Sequence, residues 1–96
     1  MSWKTYRLPS GYNSLDNGEL EADDVSAVFN LLKAHFGERL YVGSRVGLSS
    51  ESLVGEFSVD GVRLTLGWDV WSGVFIMSYD SAGDKVLNEI AHLLDK

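Results

Sequence analysis

Leu53-Val54-Gly55-Glu56-Phe57-Ser58-Val59-Asp60-Gly61-Val62-Arg63-Leu64-Thr65-Leu66-Gly67-Trp68 is the stretch that decides the fold. Asp60-Gly61 is a two-residue turn pair whose glycine tolerates positive φ, and alternating segments flank it on both sides. Folding the chain there pairs Val59 with Val62, Phe57 with Leu64, Gly55 with Leu66 and Leu53 with Trp68, all on one apolar face. The opposite face receives Ser58, Arg63, Glu56 and Thr65, with Glu56 and Arg63 diagonal neighbours within ion-pair reach. The pattern predicts an antiparallel hairpin with one face on a core and the other toward solvent or a partner.

Working toward the C-terminus, the loop Asp69-Val70-Trp71-Ser72-Gly73 leads into Val74-Phe75-Ile76-Met77-Ser78-Tyr79, a third hairpin-connected strand. Ser81-Ala82-Gly83-Asp84 then fits the Ser-x-x-acid pattern of a helix start. Val86, Leu87, Ile90, Ala91, Leu93 and Leu94 form a wide apolar stripe, so a helix is expected over 83–94. Toward the N-terminus, Leu40, Val42 and Val46 alternate across a further strand, followed by a Ser49-Ser50-Glu51-Ser52 loop. Before it, Val25, Val28, Phe29, Leu32 and Phe36 recur at helical spacing, Asp23 and Asp24 suit the positive end of the helix dipole, and Gly37 supplies a stop. That helix is expected over 23–36. Residues 1–22 mix aromatic and turn-forming types without periodicity and read as an irregular arm, with room for a short strand around Trp3 to Leu8.

The expected architecture is α+β: a three- to four-stranded antiparallel meander with an N-terminal and a C-terminal helix on one face, all in one domain spanning 1–96. With no cysteine, neither a disulfide framework nor a thiolate metal site is available, and the 45% hydrophobic content must hold the fold. The N-terminus has no apolar run of signal-peptide length and no stretch reaches membrane-helix length, so the cytoplasm is the expected compartment, with no membrane partner.

Fourteen acidic residues against eight basic ones give a net charge of −6, which argues against binding nucleic-acid phosphates and favours a basic protein partner. The same charge also serves plain solubility. Asp16, Glu19, Glu21, Asp23 and Asp24 fall together without a Lys or Arg among them. They form either a solvated face or a negative rim that steers a basic partner. Trp68 and Trp71 flank a short loop; one is the inward neighbour of Leu53, and the other either anchors an interface or folds back over the core edge. Trp3, Tyr6 and Tyr12 are open in the same way.

Catalytic signals are missing. His35 and His92 sit near helix ends, where a protonated imidazole suits the dipole, and neither has a partner at metal-ligand spacing. No nucleophile elbow, phosphate loop or dinucleotide fingerprint occurs. Asn13 to Asp24 is the nearest approach to a calcium loop, but Leu15 stands where a ligand is needed. No enzyme activity, metal or cofactor is therefore expected.

Leu64-Thr65-Leu66-Gly67-Trp68-Asp69-Val70-Trp71-Ser72-Gly73-Val74-Phe75-Ile76-Met77, running into an amphipathic C-terminal helix, resembles small bacterial immunity proteins that neutralise cognate toxins. The likeness covers the last third of the chain and carries over no family site. It implies a one-to-one complex that blocks a toxin domain, often a basic nuclease, inside the producing cell. Asp16, Glu19, Glu21 and Asp24 would then pair with toxin Lys or Arg around an aromatic such as Trp71 or Trp3. The competing expectations are a secretion chaperone or adaptor, an obligate dimer with a long apolar groove, and a homo-oligomeric small domain without catalytic role. Monomer and homodimer both remain open.

Overall fold

The structure, a computed structural model, describes residues 3–48 and 52–94. Its elements run β1 (Lys4–Arg7), β2 (Asn13–Asn17), α1 (Asp24–Phe36), a 3-10 turn (Gly37–Arg39), β3 (Leu40–Leu48), β4 (Ser52–Val59), β5 (Val62–Asp69), β6 (Gly73–Ser78) and α2 (Ser81–Leu94). The fold is α+β, as expected, with both helices on one face of an antiparallel sheet. The sheet has six strands, not three or four, in the order β1-β2-β6-β5-β4-β3.

The β4–β5 hairpin has the register that its alternation dictates, with Val59 opposite Val62, Phe57 opposite Leu64, Gly55 opposite Leu66 and Leu53 opposite Trp68. Asp60 and Gly61 both take positive φ, 53° and 81°, the backbone of a type I′ turn whose twist matches the strands. On the helix face Leu64, Leu66, Val74 and Ile76 pack with Val28, Leu32 and Phe36 of α1 and with Leu87 and Ile90 of α2. Burying each such side chain contributes roughly 1.5–3 kcal/mol. Phe29 meets Phe57 edge-on, with ring centroids 6.2 Å apart. Gly37 ends α1 at φ 57°, its N–H donating to the Lys33 carbonyl.

Within the 1–22 segment the short strand expected around Trp3 to Leu8 is present as Lys4–Arg7, and with Asn13–Asn17 it forms a strand hairpin in place of the expected irregular arm. β1 pairs with β2, and β2 inserts against β6, so the N-terminal helix follows two strands. The sequence hides β2 because Leu15 is its one large apolar residue; Ser14 and Asn17 are buried with it. Hydrogen bonds offset part of their polarity: Asn17 Oδ1 accepts the Glu19 N–H at 3.0 Å and the Ser14 hydroxyl bonds Asp16, while Asn17 Nδ2 has no partner among the described residues. The N–H of Asn13 donates to Asp84 of α2 at 2.9 Å.

α2 begins two residues earlier than its apolar stripe suggests. Asp80 accepts the Gly83 N–H at 2.7 Å, taking the capping role expected of Ser81. A Cβ on Gly83 would lie 2.7 Å from the Ser78 Cβ, so glycine is what lets the first turn of α2 sit on β6. In the Ser49-Ser50-Glu51-Ser52 loop, residues 49–51 lie outside the described residues, and Ser52 already belongs to β4. The helix-free face carries Glu56, Arg63, Thr65, Phe75, Met77, Ser14, Asp16, Lys4 and Tyr6, by register. There Arg63 pairs with Glu56 on the expected diagonal, with its Nε 3.2 Å from Glu56 Oε1, and lies over the Tyr79 ring at 4.3 Å.

Candidate functional site

The β5–β6 turn is organised by one carboxylate. Asp69 Oδ1 accepts the backbone N–H groups of Trp71 at 3.0 Å and Ser72 at 2.6 Å, the local turn-closing role that suits aspartate. Gly73 follows at φ 73°, and a Cβ there would stand 2.2 Å from the Asn17 carbonyl oxygen. The turn is thus pressed against the end of β2, and its tip projects: Trp71 is 80% exposed and Val70 is 52% exposed. Trp68 is the inward member of the pair, half-buried against the core.

Two open depressions flank this tip. One is lined by Lys4, Tyr6, Asp16, Glu19, Trp71 and Ser72; the other by Leu20, Glu21, Asp23, Trp68, Asp69 and Val70. Asp16, half-buried, lines the first. Burial pushes its carboxyl above the ordinary carboxylate value; the Ser14 hydroxyl pulls it back, and the negative charge of Asp69 adds to the rise.

Charge is sorted along the sheet. At the Asp60-Gly61 end, Arg39 binds Asp60 through Nε at 2.9 Å and Nη2 at 2.8 Å, its Nη1 lies 3.8 Å from Glu89, and His35 Nε2 lies 2.9 Å from Glu89 Oε2. Hydrogen bonding to Arg39 holds the Asp60 carboxyl below its ordinary value. At the Trp71 end, Asp16, Glu19, Glu21, Asp23 and Asp69 form no ion pair among the described residues, and Lys4 is the one cation lining either depression.

Of the residues expected at a partner surface, the structure brings Asp16, Glu19 and Trp71 into one depression, with Glu21 on the adjoining one. Trp3 does not belong there. It is 8% exposed and packs into the core, because strand alternation from Lys4 turns it to the helix face. Asp24 is also engaged elsewhere: its Oδ2 accepts the Glu21 N–H at 2.8 Å and tightens the turn entering α1. Tyr6, Lys4, Val70 and Asp69 join the site. For Asp69 the signal was an aspartate opening a short loop that ends in glycine.

Asn13–Asn17 is a strand, which leaves no calcium loop. Among the described residues no three His, Asp or Glu converge as a metal-ligand group, and no helix is long and apolar enough to cross a membrane. His35 meets Glu89 across the two helices and not an acid on its own helix. No family model matches the chain, and no curated protein or solved structure matches it.

Proposed function

We propose that this protein is a protein-binding inhibitor of the immunity type, acting in the cytoplasm by occluding a cognate basic toxin domain. The observation that carries the reading is the exposed Trp71, whose backbone Asp69 holds, beside Asp16, Glu19 and Glu21, which form no ion pair among the described residues. Exposed aromatics at the centre of a contact supply most of its energy, and the acids around them steer a basic partner and raise the association rate. Asp16, Glu19 and Glu21, with Trp71 and Val70, form the contact surface. Trp3 and Asp24 serve the fold. The mechanism is steric: the complex covers the toxin's working surface, and no bond is made or broken.

The test is capture of partners from the native lysate at low and high salt, with wild type, Trp71→Ala and Glu19→Lys/Glu21→Lys compared. The expected result is a stoichiometric basic protein whose binding weakens with salt, whose activity is blocked one-to-one, and whose capture both variants impair. A partner held equally by all three proteins, or self-association alone, would overturn the reading. The second of these outcomes would favour the homo-oligomeric alternative.

A further inference from the structure

We infer that the recess formed by Asp16, Glu19, Tyr6 and Trp71 is a receptor for one guanidinium group, an arginine side chain inserted by the protein partner. This rests on the partner-binding reading above and adds the chemistry at the centre of the contact.

The recess combines two recognition elements that are separate in origin. Two of its lining residues are aromatic: Tyr6, on β1, is 50% exposed, and Trp71, on the β5–β6 turn, is 80% exposed. Its lining also includes the half-buried carboxylate of Asp16 on β2, which accepts a hydrogen bond from the Ser14 hydroxyl and has acceptor capacity left over. Asp69 lies on the same sheet face, and neither carboxylate forms an ion pair among the described residues.

A planar cation meets both elements at once. Its face stacks on the indole or phenol ring, and its N–H edge takes the carboxylate. An ammonium offers a more strongly hydrated point charge without the stacking plane, an anion is repelled, and an apolar side chain would desolvate Asp16 with no partner. Lys4 is the direct cross-strand neighbour of Asp16 and lines the same recess. It forms no ion pair among the described residues, so an arriving cation competes with its positive field and not with a formed bridge.

The experiment titrates the isotopically labelled full chain with N-acetyl-arginine amide, using the lysine and citrulline analogues as controls, and follows amide and indole resonances. The expected result is saturable shifts at the Trp71 indole and the Ser72 amide. Affinity should fall at least tenfold for Asp16→Asn and for Trp71→Ala, and rise for Lys4→Gln. Glu38→Gln, which changes net charge by the same amount as Asp16→Asn on an exposed turn remote from the recess, should leave it unchanged. No saturable shift, shifts spread over all acidic residues, an equal response to the lysine analogue, or equal losses from Asp16→Asn and Glu38→Gln would each overturn the inference. Since the probe is a free small molecule, its binding without any captured partner removes the inhibitor reading alone. A captured partner indifferent to Asp16→Asn, with no probe binding, removes the recess alone.

Discussion

Asp84 Oδ1 accepts the backbone N–H of Asn13 at 2.9 Å, joining the first turn of α2 to the first residue of β2 across 71 positions of sequence. The Ser78 hydroxyl bonds the same oxygen, so one carboxylate ties α2, β2 and β6 together. This junction holds in register the strand that carries Asp16.

Asp84→Ala should therefore destabilise the protein by about 1–3 kcal/mol, the range for stranding part-buried donors. Asp84→Asn, which keeps one acceptor, should lose less. Urea denaturation checks both, and an Asp84→Ala midpoint equal to wild type would show the junction to be idle.

Two glycines with similar φ should respond very differently to alanine. At Gly73 (φ 73°) the new Cβ would stand 2.2 Å from the Asn17 carbonyl oxygen and 2.7 Å from the Gly18 Cα, both backbone atoms that cannot rotate away. At Gly11 (φ 93°) it would meet nothing within 4 Å. Gly11→Ala is expected to cost about 1–2 kcal/mol for the backbone conformation alone. Gly73→Ala should cost on the order of 3 kcal/mol or more, because strain and overlap act together. Thermal melts of the two variants side by side are the measurement.

The tryptophans divide by role. Trp3→Ala empties part of the core and should cost about 3–5 kcal/mol of stability. Trp71→Ala removes an exposed ring and should change stability by no more than about 0.5 kcal/mol. Its effect on partner affinity should instead be about 2 kcal/mol or more. Chemical denaturation and binding measurements on the same samples separate the two effects.

Asp16 and Asp60 should show opposite pH behaviour. The Asp16 carboxyl is raised in the folded protein above its ordinary 3.8, so its ionisation opposes folding. That penalty is absent below the ordinary value, grows as pH rises through the folded pKa, and is complete above it. Asp16→Asn should then melt higher than wild type at pH 7 and converge with it near pH 3. Asp60 is lowered by Arg39, so its contribution is present above 3.8 and is lost as pH falls through the depressed value. Asp60→Asn should melt lower at pH 7 and converge with wild type only at strongly acid pH. Melting curves across pH 2–7 that fail to show these opposite signs would contradict the assigned environments.

The β4–β5 hairpin, its register, the Glu56–Arg63 diagonal and both helices were legible in the sequence. Period-2 alternation around Asp60-Gly61 and helical stripes ending at Gly37 are local signals that burial then reinforces. β2 was not legible, because a strand written Asn-Ser-Leu-Asp-Asn has no apolar period; pairing with β6, the Asp84 carboxylate and contacts of its own side chains hold it in the sheet, although the buried Asn17 Nδ2 has no hydrogen-bond partner among the described residues. The site divides the same way. Composition and clustering grouped Asp16, Glu19, Glu21, Asp24, Trp3 and Trp71 as expected partner-binding residues; the structure places Asp16, Glu19, Glu21 and Trp71 around the β5–β6 turn, Trp3 in the core and Asp24 in the turn entering α1. Which face a side chain takes follows from strand pairing, and that is set between segments distant in sequence. Only the tertiary structure turned Trp3 inward, Trp71 outward, and brought Tyr6 beside Asp16.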